Sequence, residues 1–294
     1  RKLVDIVKSL PAQAEVKFEL DGERLVVRSG RSRFTLSTLP ASEFPRLEEG
    51  DGGISFSMDP GTLRSLIDRT AFSMAQQDVR YYLNGMLFEL SSGRFRVVAT
   101  DGHRLALCDA EVPELNEETQ VIVPRKGVME LARLLGDVEE NVSLTVGSNH
   151  IRMLTAGASF TSKLVDGKFP DYDRVVPKGG EKQVAADREA LRQALSRVSI
   201  LSNEKYRGVR VNLSSGSLAL QANNPEQEEA EEELSLEYEG EPLEIGFNVS
   251  YLLDVLNVMN ASQVNLELGD SNSSALLKDP DMTEALYVVM PMRL

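Results

Sequence analysis

The sequence is poor in the residues that build most enzyme centres. One cysteine, Cys108, and two histidines, His103 and His150, are all that 294 residues supply. A single cysteine cannot form an internal disulfide, and no Cys/His cluster has zinc-ligand spacing, so neither a disulfide framework nor a structural metal is expected. There is no Gly-rich phosphate loop of the Walker type, no His-Glu-x-x-His and no nucleophile elbow. Thr100-Asp101-Gly102-His103 sets a carboxylate near an imidazole, but the glycine suits a tight turn and no second carboxylate is spaced for a metal pair. A non-catalytic protein without a cofactor is the expectation. No apolar run approaches the roughly 18 residues that cross a bilayer and no signal-like start is present, which reads as a soluble, unexported, cytoplasmic chain.

Basic residues are also in deficit, 32 Lys and Arg against 46 Asp and Glu, for a net charge of −14. That balance argues against nucleic acid, whose phosphates are neutralised by Lys and Arg. The distribution argues the other way. Five helix candidates, at 1–9, 59–70, 123–135, 187–198 and 247–259, carry 11 basic and 7 acidic residues, so the excess of acid lies elsewhere. Much of it is one run, Glu226 to Glu244, with ten glutamates. Such a run reads first as a solvated face rather than as the site of a specific partner.

What the chain does have is repetition. Arg1-Lys2 before an apolar helical run matches Arg125-Lys126 before Val128, Leu131 and Leu135, and returns weakly at Phe247 to Met259. Val16 to Leu20 lies over Val142 to Val146, Phe34-Thr35 over Phe160-Thr161, and Phe44-Pro45 over Phe169-Pro170. A second register puts Asp59-Pro60, Leu63-Arg64 and Ile67 over Asp187-Arg188, Leu191-Arg192 and Leu195. Asp59 is a good helix N-cap with proline at the first helical position, and Asp187 opens its counterpart. Arg188 and Arg192 stack at i, i+4 on the face away from the apolar residues. Between helices, Val16–Leu20 and Arg24–Arg28 flank Asp21-Gly22, and Met86–Leu90 and Arg94–Thr100 flank Ser91-Ser92-Gly93, both hairpin patterns. Each half-unit reads as one helix with three or four strands. Domains are expected at 1–53, 54–181 and 182–294, the first as only the second half of a unit. A linear array would leave strand edges open, whereas head-to-tail association of two chains could close them into a ring.

These residues resemble the bacterial sliding clamps, the beta subunits of replicative DNA polymerase III. The likeness runs through Phe72-Ser73-Met74-Ala75, Asp78 to Gly85, Thr100 to Leu105, Pro170-Asp171-Tyr172, Leu201 to Lys205, Asn223 to Glu229 and the terminal Met290 to Leu294. It covers the whole chain and lacks only what would match the first half of the family's first domain. It implies an α+β DNA-clamp fold of tandem repeated domains, helices lining a ring and antiparallel sheets outside. It implies a processivity factor that encircles double-stranded DNA without sequence preference, tethers replicative and repair polymerases through short peptide motifs, and is opened by a separate ATP-driven loader. An acidic peptide-binding scaffold that does not encircle DNA is the second reading.

The resemblance further implies three sites. A peptide-binding pocket would take Leu83, Thr100, His103, Arg104, Leu105, Pro170, Arg174 and Val175 on one side, with Tyr251, Ser274, Val288, Val289, Met290, Pro291, Met292 and Arg293 on the other. Asn272 stands where an apolar lining residue is expected. From the residues alone, His103 reads first as an ordinary turn or interface residue and the Met-Pro-Met terminus as packing; the resemblance reverses that order. DNA-facing residues would be Gln77, Arg80, Tyr81, Tyr82, Arg125, Lys126 and Arg133, with Arg188, Arg192 and Arg197 on the same wall. For a homodimer contact, Arg31, Arg33, Phe34 and Leu36 would meet Ile200, Leu201, Glu226, Glu228, Glu229 and Glu232 of a partner chain, although Phe34 and Leu36 serve equally as one side of their own core.

Overall fold

Four times along the chain a strand leads into a helix and three further strands follow. The computed structural model describes residues 1–44, 52–136 and 138–293. Pro45 and Leu294, which belong to the repeat match and the terminal motif, lie outside the described residues. The first of the four groups is Ile54–Met58 (β1), Pro60–Thr70 (α1), Gly85–Ser91 (β2), Arg94–Thr100 (β3) and Arg104–Glu111 (β4). The second is Thr119–Pro124 (β5), Arg125–Leu135 (α2), Val142–Val146 (β6), His150–Leu154 (β7) and Ser159–Lys163 (β8). The third is Lys182–Asp187 (β9), Arg188–Ser199 (α3), Gly208–Ser214 (β10), Ser217–Asn223 (β11) and Glu229–Ser235 (β12), and the fourth is Leu243–Asn248 (β13), Val249–Val258 (α4), Gln263–Leu268 (β14), Ala275–Asp279 (β15) and Met282–Val289 (β16). The described residues before Ile54 supply one α-helix, Lys2–Ser9, and the three strands Lys17–Asp21, Arg24–Ser29 and Ser32–Ser37.

The expected caps are present. The Asp59 carboxylate accepts from the Thr62 amide at 2.7 Å and the Asp187 carboxylate from the Ala190 amide at 2.7 Å, each satisfying a free donor of the first helical turn. Asn248 does the same for α4 through Ser250. The hairpins turn on Gly22 at φ +59° and Gly93 at φ +72°, backbone angles that glycine adopts without a Cβ penalty.

The chain divides into two units, Arg1–Asp51 and Gly52–Leu294. The smaller is a three-stranded antiparallel sheet with its helix, in which Val26 and Val27 are buried. In the larger unit the leading strand of each group joins the sheet of the group beside it: β1 pairs with β6 and β5 with β2, β9 with β14 and β13 with β10. Two four-stranded sheets and one eight-stranded sheet result, the last in the order β9-β14-β15-β16-β4-β3-β2-β5. Its centre is the antiparallel pair β4 and β16, Leu105 opposite Val288 and Leu107 opposite Leu286. This ladder joins strands from either side of residue 181 in one continuous sheet.

The eight-stranded sheet is buried on both faces, and strand alternation sorts its side chains. Met86, Phe88, Val97, Ala106, Cys108, Tyr287 and Val289 face the main core, which the apolar stripes of α1, α2, α3 and α4 complete. Leu87, Val98, Leu105, Leu107 and Val288 face the other way, into a smaller cluster with Leu83, Phe169 and Tyr172. Leu83, Leu105 and Val288 of the expected pocket belong to that second cluster.

Candidate functional site

The β3–β4 connection is the Asp101-Gly102 turn. Gly102 sits at φ +87°, and the Asp101 carboxylate accepts from the amides of His103 and Arg104 at 2.9 and 3.1 Å. The Thr100 hydroxyl donates to the Arg104 carbonyl and accepts from the Gly102 amide, so it closes the turn and is buried. This local geometry pushes His103 out into solvent, where its ring stacks on Tyr251 of α4 at 6.5 Å. Its carbonyl accepts from the Met290 amide at 2.9 Å, and the Met292 amide donates to Gly246 of β13 at 2.8 Å. Two backbone bonds therefore run the tail Met290 to Met292 from the β3–β4 turn to β13 of a four-stranded sheet, its three side chains half-buried and Arg293 exposed.

Arg104 is not a free pocket cation. Its guanidinium donates to Asp101 and to the Phe72 carbonyl, at 3.1 and 2.9 Å, and makes a short contact with the Asp254 carboxylate of α4. It also lies over the Tyr251 and Phe72 rings, at 4.5 and 5.3 Å from their centroids. Val289 departs from expectation too: alternation along β16 turns it into the main core while Val288 faces the second cluster. Leu83, Leu105 and Val288 are each at most 2% exposed, so they form a floor below the surface. Pro170, Arg174 and Val175 are exposed on the segment after Phe169, and Arg174 pairs with Asp171 at 2.7 Å. Ser274 is half-buried, and Asn272 is exposed with its amide donating to Asp270. Phe72, Asp254, Asp101 and Gly102 belong to this site and were not singled out for it; Gly102 alone carried a signal, the Asp-Gly turn.

Several cations assigned to DNA are engaged within the chain. The Arg188 guanidinium donates to the Ala261 and Leu256 carbonyls at 2.8 and 3.0 Å, capping the end of α4. Arg125 does the equivalent for α1 through the Ala71 carbonyl at 3.4 Å. Both are the first residue of their helix, which gives the repeated arginine a structural use. Arg133 pairs with Glu130 and Arg192 with Glu189, both at 2.6 Å. The Arg192 partnership holds the Glu189 carboxyl down at about 2. Arg197 binds Glu232 of β12, so a residue expected on the DNA wall and one expected at the chain–chain contact occupy each other. Lys126 is exposed.

The 77–83 loop is braced from inside. Asn84 bonds the Asp78 backbone in both directions, and Asp78 takes the Arg80 amide and side chain, which keeps its carboxyl near 2. Arg80 also donates to the Asp101 carbonyl at 3.0 Å, tying this loop to the Asp101-Gly102 turn. Gln77 and Tyr81 are exposed, and Tyr82 meets Tyr81 edge-on at 5.8 Å.

At the expected chain–chain contact, Ile200 is 75% exposed, Leu201, Phe34 and Leu36 are half-buried, and Arg31, Arg33, Glu226, Glu228 and Glu229 are exposed. Ser32–Ser37 and β12 are each edge strands of their sheets. Glu228 hydrogen-bonds Asn224 at 2.6 Å. Among the described residues no group of three or more His, Cys, Asp or Glu could hold a metal ion, and no helix is long and apolar enough to cross a membrane.

Three family models match in series: the N-terminal domain of the DNA polymerase III beta subunit over residues 1–48, its central domain over 57–171 and its C-terminal domain over 173–293. The chain belongs to the DNA polymerase III beta subunit family. It is 63% identical to the Beta sliding clamp of Pseudomonas putida over 295 residues, covering all of this chain and 80% of that protein. The Escherichia coli K12 Beta sliding clamp is 53% identical with the same coverage. The crystal structure of the DNA polymerase III subunit beta from Pseudomonas aeruginosa superposes with a TM-score of 0.93 at 60% identity, covering all of this chain and 81% of that one. A structure of the clamp from that organism bound to griselimycin gives 0.91 at 60% identity, with 100% and 80% covered. The α+β clamp fold follows, and with it the family's work: a non-catalytic processivity factor that acts with DNA and with polymerases.

Proposed function

We propose that partner polymerases dock their short peptide motifs between the tail Met290 to Arg293, the His103–Tyr251 stack and the exposed segment Pro170 to Val175. The observation that carries this reading is the tail itself. Two backbone bonds fix it beside an apolar floor while Met290 and Met292 stay partly open to solvent. Flexible thioethers beside a rigid apolar floor suit a site that accepts several related sequences. His103 and Tyr251 supply orienting polar atoms. Leu83, Leu105 and Val288 act from beneath, Thr100 and Arg104 hold the turn, and Ser274 lies at the margin.

DNA contact falls to Lys126, with Gln77, Tyr81 and Tyr82 on the loop and Arg80, Arg125 and Arg133 contributing only their solvent-facing charge. Weak, sequence-blind attraction to phosphates suits sliding, because base readout would act as a brake. The domain division 1–53, 54–181 and 182–294, pairing of two chains through Arg31, Arg33, Phe34 and Leu36 against Ile200, Leu201, Glu226, Glu228 and Glu229, and a cytoplasmic location complete the reading.

The test is fluorescence-anisotropy titration of a labelled peptide with a glutamine followed by Leu and Phe anchors, against the chain and a version lacking residues 290–294. Saturable binding lost on deletion is expected. Absence of binding to the intact chain, with circular dichroism showing it folded, would remove the pocket assignment.

A further inference from the structure

Beneath the exposed segment Pro170 to Val175 lies a polar network that the docking site itself does not use. Tyr172, 6% exposed, opens a 3-10 turn, Tyr172–Arg174, and its carbonyl accepts from the amides of Val175 and Val176 at 3.0 and 3.3 Å. Its hydroxyl donates to the Glu89 carboxylate of β2 at 2.9 Å and accepts from Arg96 of β3 at 3.2 Å. Each of those partners is held by another strand. Gln120 of β5 donates to the same Glu89 oxygen at 2.8 Å, and Arg94 donates to the other oxygen at 3.3 Å. Arg96 grips Asp109 of β4 through two nitrogens at 2.5 and 2.7 Å. Four adjacent strands of the eight-stranded sheet thus converge on one phenol.

Phe169, 6% exposed, is the second post of this segment, and between and beyond the two posts Pro170, Asp171, Arg174 and Val175 face solvent. An apolar post fixes depth without fixing rotation. A phenol hydrogen-bonded in two directions fixes both, because its oxygen must meet a donor and an acceptor that the sheet holds still. We infer that Tyr172 is a positioning residue for peptide docking: through Glu89 and Arg96 it sets the height and tilt of the Pro170–Val175 rim. The inference rests on the docking reading above. Tyr172 does not touch the peptide; it acts through the rim.

The chain contains no tryptophan, so a peptide carrying one in place of its Phe anchor reports on the site alone. The experiment compares the intact chain with Tyr172→Phe, Glu89→Gln and Val211→Ala, the last a core truncation in β10 outside the network. Tyr172→Phe is expected to weaken binding of that peptide about threefold to tenfold, the net size of one ordinary hydrogen bond, and to shift the bound tryptophan emission to the red as the rim loosens. Glu89→Gln retains an acceptor for the hydroxyl and is expected to keep most of the affinity. Unchanged affinity and emission in Tyr172→Phe would overturn the inference while leaving the pocket in place. Equal weakening in Val211→Ala, with its midpoint of unfolding lowered to match, would reduce Tyr172 to a stability residue and overturn it as well. No binding by the intact chain would overturn the docking reading and this inference with it.

Discussion

Arg197 of α3 holds Glu232 of β12 in a two-pronged ion pair, Nε and a terminal nitrogen donating to separate carboxylate oxygens at 2.6 and 2.9 Å. The Glu232 carboxyl is pulled down by that bond and the Arg197 guanidinium pushed up. The pair therefore neutralises one positive charge on the helix. Lys126→Ala should lower the dependence of DNA affinity on salt by about 0.9 in the log–log slope, one phosphate contact's worth. Arg197→Ala should leave that slope unchanged. Titration of duplex DNA at several salt concentrations checks both, and a loss of slope in Arg197→Ala would return Arg197 to the wall.

Arg104 joins α4 to the β3–β4 turn, 11% of its side chain being exposed. Truncation takes a donor from the Phe72 carbonyl and from the Asp101 carboxylate, both only partly open to water. Arg104→Ala should cost about 1–3 kcal/mol in denaturant unfolding. Arg104→Lys should recover little of this, since one ammonium cannot match the planar fork that reaches three acceptors and lies over Tyr251. Recovery to within a few tenths of a kcal/mol by lysine would show that charge alone matters.

Ser73 is fully buried and its hydroxyl has no hydrogen-bond partner among the described residues. Removing an unsatisfied polar atom of nearly the same volume avoids its desolvation penalty without opening a large cavity. Ser73→Ala should therefore raise the unfolding free energy by about 1 kcal/mol. A decrease would mean that the hydroxyl is satisfied in solution.

How far the sequence reaches can be seen from these same residues. Asp59, Asp187 and the Asp-Gly and Ser-Gly turns act within a few positions of themselves, so the strand–helix–strand pattern was legible. Pairing of β4 with β16 was not, because its partners are remote in the chain and both strands carry apolar residues on two faces. The same holds for Arg104 and Asp254, 150 residues apart. Arg125 and Arg188 counted as cations on a stripe; only the fold brings a helix end to each of them. In the pocket, alternation along β16 already implied that Val288 and Val289 point to opposite sides, and the resemblance carried both over regardless.

Burial holds the Tyr172 phenol up to about 12; the Arg96 hydrogen bond opposes that rise, while the bond to Glu89 adds to it. An unfolded tyrosine ionises near 10. The folded pKa is thus raised, so the stability this group contributes is complete below about pH 10 and is lost as pH climbs from about 10 toward 12. Burial likewise lifts Tyr287 to about 12. Ultraviolet titration should show a late phenolate fraction among the seven tyrosines. Tyr172→Phe should remove one tyrosine's share of it.

Gly102 offers the most local test of the site. At φ +87° an L side chain is strained by roughly 1–2 kcal/mol. A Cβ there would also lie 2.7 Å from one terminal nitrogen of Arg80 and 3.0 Å from the other, which now donates to the Asp101 carbonyl. The arginine is long and half-exposed, so it should swing away rather than unfold the turn. Gly102→Ala should then release the 77–83 loop from the Asp101-Gly102 turn and shift the His103 ring from its stack on Tyr251. Peptide affinity should fall more than the strain alone predicts for the unfolding midpoint. Arg80→Ala should release the loop without backbone strain, and adding it to Gly102→Ala should weaken peptide binding little further, because both changes remove one connection. Additive losses in the double variant would show that the glycine and the arginine serve the site separately.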